Sequence, residues 1–158
     1  MAVLIITLIF FRKKVKNLYE YILIGAAVGI GFTIVEDIIY ADGQVVTIVF
    51  RLIMVAGHMT LNMIMAEFLG RARFNTIYKE GPRGIYYILA FLIPVGIHTL
   101  YDMGTAFNKP VFSGDTVTGA FLAAAGILIM VVAQFYVLIK FKMHAEKYCA
   151  IDFVTPNH

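Results

Sequence analysis

Apolar positions run along this chain in long blocks broken by short polar stretches. Four blocks are long, at about residues 18–40, 45–69, 85–107 and 117–141. A helix needs roughly 20 mostly apolar residues to cross a bilayer. Each of the four meets that length. A fifth block, residues 2–11, is too short to span alone and is followed by "RKKVK". A signal peptide carries its positive charge before the apolar core, so this order argues against one. The block reads as the end of a span whose beginning is absent, or as an interfacial segment. The pattern predicts an all-α, polytopic transmembrane helix bundle of four long spans plus a partial N-terminal apolar helix. No linker is long enough to divide it and no repeat is present, so residues 1–158 read as one integral membrane domain.

Composition agrees. Hydrophobic residues make up 61% of the 158 and charged residues 15%, with a mean hydropathy of +0.84. A water-soluble domain of this size has no room to hide so much apolar side chain. The net charge of +3 is small, and no basic patch is interleaved with aromatics, so nucleic acid is not an expected partner. A single cysteine, Cys149, excludes an intramolecular disulfide.

The basic residues set an orientation. Arg12, Lys13, Lys14 and Lys16 precede the first long block; Arg71, Arg73, Lys79 and Arg83 separate the second from the third; Lys140, Lys142 and Lys147 close the chain. Of the 13 Lys and Arg, these eleven fall on alternate connections, whereas Ala41–Gln44 and Asn108–Thr116 carry only Lys109. The basic side is expected to be cytoplasmic. A multi-pass protein of the cell membrane with a cytoplasmic C-terminus follows. "GAAVG" at Gly25–Gly29 has small residues spaced for close helix approach.

Ionisable groups inside apolar blocks are costly and usually face protein or a water-filled cavity. Here Glu36 and Asp37 lie in the first long block, Arg51, His58 and Asn62 in the second, and His98 and Asp102 in the third. At about 1.5 Å of rise per residue, Glu36 lies about 6 Å, Asp102 about 7 Å and His98 about 13 Å below the outer ends of their blocks, and His58 about 20 Å in from Val45. Two His and nearby carboxylates at one depth have the ligand types for Zn²⁺. They also suit a metal-free site in which carboxylate and imidazole polarise a water. Structural readings stand beside these. His98 and Asp102, four apart, form a self-neutralising pair on one helix face; His58 bonds a carbonyl in the core; Glu36 pairs with Arg51; Asp37 is wet at a helix end. Glu67 is expected to be solvated at the cytoplasmic end. The set on three neighbouring helices favours function over any one of these readings.

"YILIGAAVGIGFTIVEDIIY", "RLIMVAGHMTLNMIMAEFLG" and "IPVGIHTLYDMG" resemble, in order, three blocks of the PrsW-type intramembrane proteases, over roughly residues 20–105. The family is regarded as metal-dependent and as distantly related to the CAAX prenyl endopeptidase and bacteriocin self-immunity proteins. The resemblance implies an endopeptidase that hydrolyses a membrane-associated protein, such as an anti-sigma factor, near the outer half of the bilayer. It makes Glu36, His58, His98 and Asp102 the catalytic candidates, with His58, His98 and Asp102 as ligands for Zn²⁺ and Glu36 as base or ligand. Asp37 stands where the family has Asn. The family's upstream E-E-x-x-K block is missing, and the only upstream acid is Glu20. The expectation is a chain that begins within the ancestral protein and cleaves poorly. A non-catalytic partner-binding or immunity protein and a small ion or proton transporter stay open as alternatives.

Overall fold

In lipid every backbone N–H and C=O must find its partner within the segment, so long apolar runs fold as helices. The computed structural model describes residues 2–11, 14–40, 45–75, 82–105 and 116–149, with side chains for 3–11, 14–36, 38, 55–75, 82–100, 121 and 124–143. Its described residues form helices α1 (Ala2–Phe11), α2 (Leu18–Tyr40), α3 (Val45–Arg73), α4 (Arg83–Thr105) and α5 (Thr116–Cys149), with no strand among them. α3 is central: it packs most extensively on α2, then on α4, and touches α5, while α1 lies on α2.

Helices α3 and α5 outrun their apolar blocks. α3 gains a turn ending in Arg71 and Arg73, where cations are favoured by the helix dipole and long stems keep their charge in water. The start of α2 is capped. The Asn17 side-chain oxygen accepts the Glu20 N–H at 2.8 Å, and the Glu20 carboxylate accepts the Lys16 N–H at 2.7 Å. The one upstream acid is thereby committed to a helix end.

Among the described residues three helices are long and apolar enough to cross a membrane, over Leu18–Glu36, Arg83–Leu100 and Ala124–Met143. α3, expected as a fourth span, is not among these three, and the side chains of residues 45–54, the most apolar part of its sequence, lie outside the described set. The helix carries His58, Asn62, Glu67, Arg71 and Arg73, and three of these, His58, Asn62 and Glu67, are buried against neighbouring helices. The apolar residues of the other helices instead face outward: Phe10 is 81%, Ile38 76% and Phe121 74% exposed. Such a surface suits a lipid surround.

Glycines set the α2–α3 contact. A Cβ at Gly25 would lie 2.5 Å from the Asn62 carbonyl oxygen, and one at Gly29 2.5 Å from that of His58. Only glycine lets the two backbones meet this closely. Glu67 departs from expectation. It is 7% exposed and accepts from Arg71 at 2.9 Å and Lys140 at 2.8 Å. A carboxylate this deep needs paired cations, and two long basic side chains reach it from α3 and α5.

Candidate active site

Three helices bring their polar residues to one place. α2 contributes Thr33 and Glu36, one turn apart; α3 contributes His58 and Asn62; α4 contributes His98. The Nε2 atoms of His58 and His98 stand 3.2 Å apart, with the rings near-parallel at 5.3 Å between centroids. On the far side of the His58 ring, Nδ1 lies 3.1 Å from the Thr33 hydroxyl and 3.5 Å from the Glu36 carboxylate. His58 is 3% exposed and Thr33 fully buried, whereas the Glu36 side chain is 29% exposed.

The described neighbours of His58 favour one tautomer. Thr33 donates its single hydroxyl hydrogen to the Gly29 carbonyl at 3.0 Å. It therefore meets His58 as an acceptor, as does the carboxylate of Glu36. Both favour a hydrogen on Nδ1. The lone pair of His58 is then on Nε2, facing His98. Phe32 packs edge-on against the same ring at 5.2 Å, which further limits its rotation.

Beside the two imidazoles lies a cavity of about 260 Å³, lined by Phe32, Leu61 and Val95 with the polar groups of His58, Asn62, His98 and Thr99. Asn62 is 6% exposed. Its amide nitrogen donates to the His58 carbonyl at 2.9 Å, and its oxygen is buried with no partner among the described residues. A buried acceptor left open at a cavity is costly unless something that enters the cavity fills it.

The pair fits a divalent metal in donor chemistry. Two nitrogens bound to one tetrahedral Zn²⁺ stand about 3.4 Å apart, close to the 3.2 Å seen here. The Nδ1 of a ligating histidine is commonly held by a carboxylate or hydroxyl, as in His58. Among the described residues no third His, Cys, Asp or Glu completes a metal-binding group. Asp102 is four residues beyond His98 on α4, and its side chain lies outside the described set, as do those of Asp37 and Arg51.

A family model described as PrsW family intramembrane metalloprotease matches residues 1–139. The chain belongs to the PrsW family. It is similar to Protease PrsW of Geobacillus kaustophilus (strain HTA426), with 33% identity over 87 residues, 53% of this chain and 36% of that protein. For Protease PrsW of Bacillus subtilis (strain 168) the identity is 34% over 86 residues, 53% of this chain and 38% of that protein. For that of Oceanobacillus iheyensis it is 28% over 96 residues, 60% of this chain and 43% of that protein. The matched stretch thus spans less than half the length of these curated relatives. No solved structure matches the chain.

Membership in the PrsW family and the outward-facing apolar helices together establish a membrane location. The sequence assigns no role to three polar residues at this site, Asn62, Thr33 and Thr99. Asn62 was visible as a polar residue in an apolar block but carried no role. Thr33 does not stand out in the sequence, because a hydroxyl is cheap in a helix, where it bonds back to the preceding turn. Its signal is its place three residues before Glu36, on the same helix face.

Proposed function

We propose that the chain forms the catalytic centre of an intramembrane peptidase that hydrolyses a peptide bond of a membrane-anchored protein, such as an anti-sigma factor. The observation that carries this reading is the 3.2 Å approach of two imidazoles from different helices beside a cavity. His58 and His98 hold Zn²⁺ in this reading, with Asp102 as a third ligand. When bound, the ion supplies Lewis acidity toward the scissile carbonyl. A water admitted to the cavity is the nucleophile. Its oxygen adds to that carbonyl, and its proton passes to the amine that leaves as the C–N bond breaks. The chain's own residues position these groups. Thr33 and Glu36 hold the Nδ1 proton of His58 and keep its Nε2 lone pair aimed at His98. The open oxygen of Asn62 accepts an N–H of the extended substrate backbone. Phe32, Leu61 and Val95 keep lipid and bulk water from the reacting groups.

Glu36 takes a positioning role here in place of base or ligand, because its carboxylate stands behind His58 and not beside the Nε2 pair. The roles separate by experiment. As a positioner, Glu36→Gln keeps an acceptor for Nδ1 and loses little, whereas Glu36→Ala lowers metal affinity by about 10–100-fold. A general base would make both substitutions cost about 10²–10⁴ in rate, with metal affinity unchanged.

The basic ends of the helices face the cytoplasm in this reading. His58 is 15 residues from Arg73 and His98 is 15 from Arg83, or about 22 Å from the basic end in each case. The site therefore lies in the outer half of the bilayer, and the C-terminus is cytoplasmic. In a Cys149→Ser background, a cysteine at position 113 is expected to react with an impermeant thiol reagent outside the cell, and one at position 79 only after lysis. The reverse pattern overturns the orientation. The function itself is tested in proteoliposomes holding a single-span reporter protein. Slow cleavage on the outer side of the span is expected; reporter that stays intact beside well-folded protein refutes a peptidase.

A further inference from the structure

A second cavity, about 250 Å³, opens at the opposite end of the bundle. The end of α1, the start of α2, the end of α3 and the start of α4 all meet there. Two arginines and two tyrosines, Arg73, Arg83, Tyr21 and Tyr87, form its polar part, and Ile5, Ile9 and Leu69 lie among its apolar walls. The arginines are held in place. Arg73 donates one Nη1 hydrogen to the Tyr21 hydroxyl at 2.9 Å, and its guanidinium lies 5.5 Å from the Tyr21 ring and 5.3 Å from that of Phe74. Arg83 donates its Nε hydrogen to the Ala72 carbonyl at 2.7 Å.

A guanidinium has five N–H donors in a fixed fork. These hydrogen bonds use one donor on each arginine and leave the rest directed elsewhere. Neither arginine faces a carboxylate among the described residues, in contrast to the neighbouring Arg71, which pairs with Glu67. Two oriented cations with no acid between them among the described residues match a phosphate, which accepts bidentate bonds from such forks. The walls narrow the choice. Ile9 is 66% and Tyr87 46% exposed on the outer surface, so the cavity is open sideways to lipid. An anion with a hydrocarbon tail satisfies both parts; a free phosphate leaves the apolar walls wet.

We infer that this cavity binds the headgroup phosphate of an anionic phospholipid, with Arg73 and Arg83 on the phosphate and an acyl chain along Ile5 and Ile9. Such a lipid ties four helix ends together at the basic end of the bundle, which the orientation proposed above sets in the leaflet where anionic lipid is richest. The inference is independent of what happens at His58 and His98.

The test uses the full chain, delipidated in a non-ionic detergent and titrated with phosphatidylglycerol or phosphatidylcholine of identical chains, with adducts counted by native mass spectrometry. Phosphatidylglycerol is expected to bind about tenfold more tightly, and Arg73→Gln or Arg83→Gln to weaken it by about fivefold or more. Lys142→Gln removes an equal charge from the same side but outside the cavity, and is expected to change binding less than about twofold. Arg73 also braces α2 against α3, so Arg83→Gln decides the matter if Arg73→Gln disturbs the fold. Equal binding of the two lipids, or an equal loss in Lys142→Gln, overturns the inference. So does displacement of the lipid by inorganic phosphate at similar concentration, which would make this a site for the free ion.

Discussion

Alanine at His98 is expected to lower cleavage of a membrane-anchored reporter by at least about 10²-fold, and alanine at His58 by a similar factor. Each substitution removes one of two nitrogens that stand 3.2 Å apart and act on the same species, so either loss disables the pair. The double variant is then expected to be no slower than the single ones, because groups acting as one unit are strongly non-additive. His98 is the cleaner variant, since it is only partly buried, whereas truncating His58 opens a hole among Thr33, Glu36 and Phe32. Rates in proteoliposomes, with circular dichroism to confirm helix content, make the measurement. Independent, multiplying losses at the two positions would mean that the histidines serve separate purposes.

A methyl group at Gly29 is expected to be nearly as damaging. The Cβ of Gly29→Ala would lie 2.5 Å from the His58 carbonyl oxygen and 2.6 Å from the Met59 Cα. These are backbone atoms and cannot swing aside as a side chain can, so α2 must move off α3. Overpacking of this kind costs about 1–3 kcal/mol. The larger effect is on the chemistry. Moving α2 carries Thr33 and Glu36 away from His58, and a displacement near 1 Å at a reacting group can cost about 10²-fold. Gly31, two residues on, has nothing within 4 Å of its would-be Cβ, so Gly31→Ala should leave cleavage unchanged and stability unchanged or slightly raised. Thermal unfolding in detergent and cleavage rates, read together, check the contrast. Equal tolerance at both positions would contradict the close approach of the two helices.

That close approach was legible in the chain as "GAAVG", because small residues four apart carry their meaning in any helix. The apolar blocks were legible for the same reason: lipid imposes length and apolarity on whatever crosses it, and the bounds of α2 and the ends of α1 follow directly. Overruns were not. α3 and α5 continue past their last apolar residues, because helical hydrogen bonding does not stop where hydrophobicity does. Matched depth was enough to suggest that His58 and His98 meet. What depth cannot convey is rotation about a helix axis and the rotamer of each side chain. Those decide that Glu36 stands behind the His58 ring and that Glu67 turns inward to Arg71 and Lys140. Thr33 and the open oxygen of Asn62 acquire meaning only when three helices are set side by side.

The central claim is that His58 and His98 form one site that acts on a single bound species. Zinc stoichiometry tests it most directly. Purified protein, stripped with chelator, equilibrated with Zn²⁺ and freed of excess, is analysed for metal alongside His58→Ala and His98→Ala. The account expects about one tightly held ion per chain in the wild type and none in either variant, since a site losing one of two imidazoles keeps too few ligands. An ion retained at wild-type affinity by either variant, or no ion bound by the wild type at saturating zinc, would contradict it.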